Sequence, residues 1–130
     1  MKRLILAIVA AILINFILAS AIDHGFHVAG IYPPYGEPMM DNGLMALAFS
    51  YRVIITIFAA YITAMIAKEK AKTAIYFTGI LGTLLWTMGA IFAWDFGPAW
   101  YHIVGIASAL PLAITGWKLF ERRARLTTTQ

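Results

Sequence analysis

The side chains able to do chemistry in this chain are few, and most lie between Asp23 and Gly43 or at Arg52. The stretch DHGFHVAGIYPPYGEPMMDNG holds two of the three histidines, three of the six acids and three of the five prolines, and no lysine or arginine. His24 and His27 stand three apart and Asp23 stands four before His27, spacings that make neighbours on one helix face. Imidazoles beside a carboxylate suit zinc, copper or iron, so His24, His27 and His102 form a candidate metal set. Two histidines from facing helices also suit a haem, with Arg52 near its propionates. DHGFH is not a specific motif, however, and Gly25 weakens the helical argument. The plainer expectation is of amphipathic interface residues at head-group level.

Arg52 is the sharpest anomaly. It lies eight residues inside an apolar segment, about 12 Å from the segment's end at 1.5 Å per residue. An unpaired charge at such a depth in lipid costs at least about 2.5–3.5 kcal/mol. Asn15 lies equally far before Asp23, Thr87 before Asp95, and Ser108 after Trp100. Four helices would therefore bring Arg52, Asn15, Thr87 and Ser108 to one level, beneath Asp23 and Asp95. One reading is a structural hydrogen-bond layer in which Arg52 reaches up to an acid. The other is an anion or head-group site in a polar cavity. In both, Arg52 pairs with Asp23, Asp95 or Asn15, because a lone buried charge is too costly.

The elements that must position these residues are apolar. The 130 residues are 62% hydrophobic and 12% charged, where soluble domains run nearer half and a quarter. Four segments, Leu4–Ile22, Leu44–Ala67, Thr73–Trp94 and Trp100–Leu119, each approach the ~20 residues that cross a bilayer as helix. The expected fold class is an all-α integral membrane protein: residues 1–130 form a single four-transmembrane-helix bundle with short loops and one longer outer loop. Lys2-Arg3, the apolar run and ASA at 19–21 imitate a secretory signal. The run is long for one, and Ala7, Ala11, Asn15 and Ala19 form a small-residue ladder suited to packing, so the first helix is expected to be retained.

Nine of the ten lysines and arginines fall at one end of such a bundle: Lys2, Arg3, Lys68, Lys70, Lys72, Lys118, Arg122, Arg123 and Arg125. The positive-inside rule makes that end cytoplasmic, together with both termini. Asp23, Glu37, Asp41 and Asp95 then face outward. A net charge of +4 arranged this way points to lipid head groups rather than nucleic acid. Cysteine is absent, which excludes disulfides and thiolate metal sites.

Gly30 is a plausible stop for a first helix running through Val28. YPPYGEP favours an extended path, and Asp41 or Asn42 is placed to cap the second helix. Three prolines, Tyr32, Tyr35, Met39 and Met40 suit residues 28–43 to an ordered lid over the bundle. KEKAK reads as a tight hairpin, and ERRARLTTTQ as a tail that frays or lies on head groups. Thr56, Ala60 and Ala64; Gly79, Thr83 and Thr87; and Gly105, Ala109 and Ala113 are further packing ladders. Pro111 should bend the last helix.

No nucleophile elbow, HExxH or glycine-rich phosphate loop is present, and none of the spans carries a mid-membrane acid of the sort proton-coupled antiport uses. GIYPPYGEPM, Tyr51–Arg52 and GPAWYH (Gly97–His102) together resemble a group of small bacterial inner-membrane proteins with four spans over nearly this length. The resemblance covers almost the whole chain. It implies a bacterial inner-membrane location and an outer loop that belongs with Arg52, and it carries no activity. The expected function is a non-enzymatic binding or accessory subunit with a polar outer-face site around Arg52, packing on itself or on a larger membrane complex. The alternatives are a metal- or haem-binding redox or transport protein using the histidines, and an oligomeric anion channel.

Overall fold

The computed structural model describes residues 2–34 and 36–128. Those residues form α1 (Lys2–Val28), α2 (Asn42–Ala67), α3 (Ala71–Phe92) and α4 (Ala99–Thr128). Short 3₁₀ turns, Lys68–Lys70 and Trp94–Phe96, stand before α3 and α4. Three helical stretches are long and apolar enough to cross a membrane: Lys2–Val28, Asn42–Phe92, which holds both α2 and α3, and Ala99–Leu126.

The helices alternate in direction. The Thr63 hydroxyl of α2, which donates to the Ala59 carbonyl at 2.7 Å, also lies 3.5 Å from the Ala7 carbonyl, and Arg123 of α4 donates to the Tyr61 hydroxyl at 2.8 Å. These contacts gather the N-terminus of α1, the α2–α3 turn and the end of α4 at a basic end. At the opposite, acidic end, the Met39 N–H donates to the Phe96 carbonyl at 2.9 Å and the Trp100 indole donates to the Asn42 side chain at 2.9 Å. The two connections are thereby laced together.

Local chemistry explains the ends. Gly30, at φ 79°, takes the left-handed conformation that terminates α1, and the Ile31 N–H turns back onto the Phe26 carbonyl. The proline segment does not stay extended. The Glu37 N–H closes a turn on the Pro34 carbonyl at 3.1 Å, with Gly36 at φ 90° supplying the positive angle. Asp41 caps α2 by accepting from the Leu44 N–H at 3.0 Å. Lys68 reverses the chain at φ 53°. In the tail, α4 runs on to Thr128, with Arg123 tied to α2; residues 129–130 lie outside the described residues.

Packing is inside-out by size. Small residues fill the centre, among them Ala7, Ala11, Ala59, Ala60, Ala64 and Ala74, while Phe16, Ile54, Phe77, Ile91 and Phe92 face outward. Close backbone approach is the reason. A Cβ built on Gly116 would stand 2.5 Å from the Ile57 carbonyl oxygen and 2.5 Å from Ala60 Cβ. One on Gly79 would meet the Leu110 backbone at 3.2 Å. Helices that approach this closely gain dispersion contacts that do not depend on expelling water.

Ala7, Ala67 and Ala74 join α1, α2 and α3 in one buried cluster at the basic end. Towards the acidic end, α1 and α3 line a cavity of about 420 Å³, to which α2 and α4 also contribute.

Candidate functional site

Asp23, near the last turn of α1, and Arg52, on the third turn of α2, form an ion pair through Arg52 Nη2 and Asp23 Oδ2. The Tyr51 hydroxyl donates to the other carboxylate oxygen, Oδ1. Tyr51 is therefore an acceptor towards its second partner, so the Tyr32 hydroxyl, 2.8 Å away, must be the donor. A directed chain results, running from the loop phenol to Tyr51, to the carboxylate, to the guanidinium. Neighbouring positions on a helix do not share a face, yet the reach of Tyr51 and Arg52 brings both to one carboxyl group.

Aromatic packing fixes this chain laterally. The Phe26 ring lies 5.0 Å from Tyr32 and 5.8 Å from Tyr51. Tyr32, Met45, Ala48 and Tyr101 form one buried cluster, with Trp86 5.3 Å from Tyr101 across the bundle. Tyr32 is 5% exposed, so this part of the 28–43 segment lies on the bundle. Burial pushes its phenol above the ordinary value, against the lowering effect of the Tyr51 hydrogen bond; the group stays neutral and able to donate. Met40 is exposed, and Tyr35, the other expected lid aromatic, lies outside the described residues.

Asp23 and Arg52 stand between two spaces and line both. On the loop side is a cavity of about 260 Å³ walled by His27, Tyr32, Glu37, Met39 and Tyr101. On the other side is the 420 Å³ cavity between α1 and α3. Arg52 Nε is buried and has no hydrogen-bond partner among the described residues.

The expected site residues divide into those brought together and those left apart. Arg52, Asp23, Asn15 and Ser108 all line the larger cavity. Asn15 accepts from the Thr56 hydroxyl at 3.1 Å, making a second polar step below the ion pair, while its own amide donates to the Ala11 carbonyl at 3.0 Å. The Ser108 hydroxyl donates to the Gly105 carbonyl at 3.1 Å. Thr87 bonds back to the Thr83 carbonyl at 2.8 Å and does not feature in the lining. Asp95 is exposed in the 3₁₀ turn before α4, so of the expected partners for Arg52 it is Asp23 that makes the pair.

The histidines do not converge. His27 Nδ1 lies 2.8 Å from the Pro33 carbonyl. His102, 6% exposed, stacks on Trp94 with its Nε2 3.3 Å from that residue's carbonyl oxygen. His24 is exposed on the last turns of α1. Among the described residues no group of three His, Asp or Glu side chains is placed to hold a metal ion.

Tyr51, Tyr32 and Thr56 are hydrogen-bonded neighbours of the expected residues that spacing alone did not mark. The available signal for Tyr51 was its place beside a charge deep in an apolar segment; that for Tyr32 was its place among the side chains expected to hold the 28–43 segment on the bundle. No family model, curated protein or solved structure matches the chain, so the likeness carried by GIYPPYGEPM, Tyr51–Arg52 and GPAWYH rests on those short motifs.

Proposed function

We propose that this chain is a four-span protein of the bacterial inner membrane, with both termini cytoplasmic. In this reading it serves as a non-enzymatic binding or accessory subunit whose site is centred on Arg52. Four spans rather than three are supported by length and geometry: a straight helix across 42–92 would reach about 77 Å, far beyond a hydrocarbon layer of ~30 Å, and the reversal at Lys68 divides it. The cluster of basic residues at the α2–α3 turn and the chain ends supports the orientation. Non-enzymatic binding is the economical reading of a site with an ion pair, phenols, amide and hydroxyls but no assembled nucleophile and base.

The observation that carries the proposal is the placing of Asp23 and Arg52 in the walls of two cavities at once. A purely structural ion pair needs no space beside it. In a membrane, moreover, a charged pair that lines a cavity is the usual mark of a ligand or ion site. Native mass spectrometry of the full chain, released from membrane-lipid nanodiscs, tests this. The expected result is a chain or small assembly carrying a non-protein mass that is lost in Arg52→Leu. A bare chain that gains neither ligand nor partner from membrane extract overturns the reading.

A further inference from the structure

We infer that the larger cavity holds an uncharged long-chain amphiphile whose head carries a carbonyl-type oxygen, as in a quinone or a glyceride ester, admitted sideways between α1 and α3. The inference rests on the reading of Arg52 as the centre of a binding site, and it names the class of ligand.

Shape is the first ground. The volume of about 420 Å³ lies within the ~300–1,000 Å³ of small-molecule sites. On α1 the lining runs from Asp23 down to Ala11, about 18 Å along the helix axis. Charge is confined to one end of that length, at Asp23 and Arg52; Asn15 and Thr56, bonded to each other, lie further down, and Ala11, Ala60, Gly79 and Ala113 line the far end, where the Thr78 hydroxyl is turned back onto the Ala74 carbonyl. A head-and-tail molecule matches such a gradient, whereas a small ion or a sugar matches half of it.

Access is the second. Ile12 and Phe16 of α1 and Leu85 of α3 line the cavity and are also exposed on the outer surface of the bundle. The rim is therefore apolar and faces sideways, and a ligand dissolved in the bilayer meets it directly. Phe16 is 70% exposed, so the rim is not closed by packing.

Charge decides the head group. The carboxylate of Asp23 already balances Arg52, and both line the space. A carboxylate or phosphate head would add a second negative charge with no cation to meet it in a low-dielectric setting. The guanidinium nevertheless has donors to spare: it carries five N–H groups, its bond to Asp23 uses Nη2, and 30% of its side chain stays exposed. A guanidinium only donates, and a quinone or ester oxygen only accepts. An uncharged acceptor thus satisfies Arg52 without disturbing the ion pair.

The test uses the purified full chain in detergent micelles with monoolein, decylubiquinone and sodium oleate as probes, reading thermal stability and tryptophan fluorescence, since Trp86 lines the cavity. At least one uncharged probe should bind ten-fold or more tightly than oleate, and which one does so separates a glyceride from a quinone. Ala19→Phe, which fills the lining, and Arg52→Lys, which keeps the charge but removes the planar donor set, should each weaken that binding at least ten-fold. Ser20→Trp, at an exposed lining position, replaces Ala19→Phe if the latter does not fold. Oleate binding as tightly as either uncharged probe, and lost in the filled variant, overturns the uncharged class while leaving a binding site at Arg52. Binding that survives both filling and Arg52→Lys overturns the placement. Failure of all three probes to bind overturns the inference; the broader reading then stands or falls on the mass-spectrometric result.

Discussion

At the scale of single residues, the molecule turns on one carboxylate with two strong donors. Arg52 and Asp23 each keep a quarter to a third of their side chain exposed, so breaking the pair should cost about 2 kcal/mol rather than the ~3–5 kcal/mol of a fully buried one. Arg52→Leu and Asp23→Asn should each lower the thermal midpoint in detergent, and the double variant should lose less than the sum of the two, which a double-mutant cycle measures. Tyr51→Phe removes both its hydrogen bonds at once and should cost about 1–2 kcal/mol, with Tyr32→Phe costing less because it deletes only the outermost donor. Equal effects of the two phenylalanine variants would contradict the directed chain. Much of this site was legible beforehand. A charge eight residues into an apolar segment demands a partner, and Asp23, Asp95 and Asn15 were the candidates between which register alone does not choose. The phenols were not legible, because a tyrosine beside a charge and a tyrosine in a loop carry no periodic signal; only the fold brings Tyr32 onto Tyr51. Asp95 misled for the opposite reason: its register matched, but a 3₁₀ turn leaves it facing outward.

At the scale of elements, the glycines separate packing from propensity. Gly116 lies against the α2 backbone, so Gly116→Ala should force α2 and α4 apart and cost about 1–3 kcal/mol. Gly89, on α3, has nothing within 4 Å of a built Cβ, so Gly89→Ala should stabilise by up to about 1 kcal/mol through helix propensity alone. Unfolding titrations of the two variants in mixed micelles should therefore move in opposite directions. The helices, the Gly30 stop and the Asp41 cap were readable because apolar run length, a left-handed glycine and an N-cap are local properties. The contact at Gly116 was not. The ladder Gly105, Ala109 and Ala113 marks the packing side of α4, whereas Gly116, one step on, meets the α2 backbone itself. For the same reason Thr87 matched its layer by counting residues and missed it by rotation about α3.

At the scale of the whole molecule, the proposed topology makes a sharp demand. Single cysteines at Glu37 and Lys70 occupy exposed positions at opposite ends of the bundle. In intact cells an impermeant thiol reagent should label position 37 and leave position 70 untouched until the membrane is opened. Labelling in the reverse order would overturn the orientation.

The joint between α1 and its neighbours has a mechanical meaning. Ala7 sits in a tight alanine seam, and Asp23 lies sixteen residues further along the same helix, an arm of about 24 Å. A swing of about 5° at the seam moves the carboxylate by about 2 Å, enough to take it out of hydrogen-bond range. The ion pair then acts as a latch far out on a lever, where the smallest rotation opens it. Spin labels at Ser20 and Ile80 should report this as a second, longer distance that gains population in Asp23→Asn, while a pair at Arg3 and Lys72, beside the pivot, keeps a single separation.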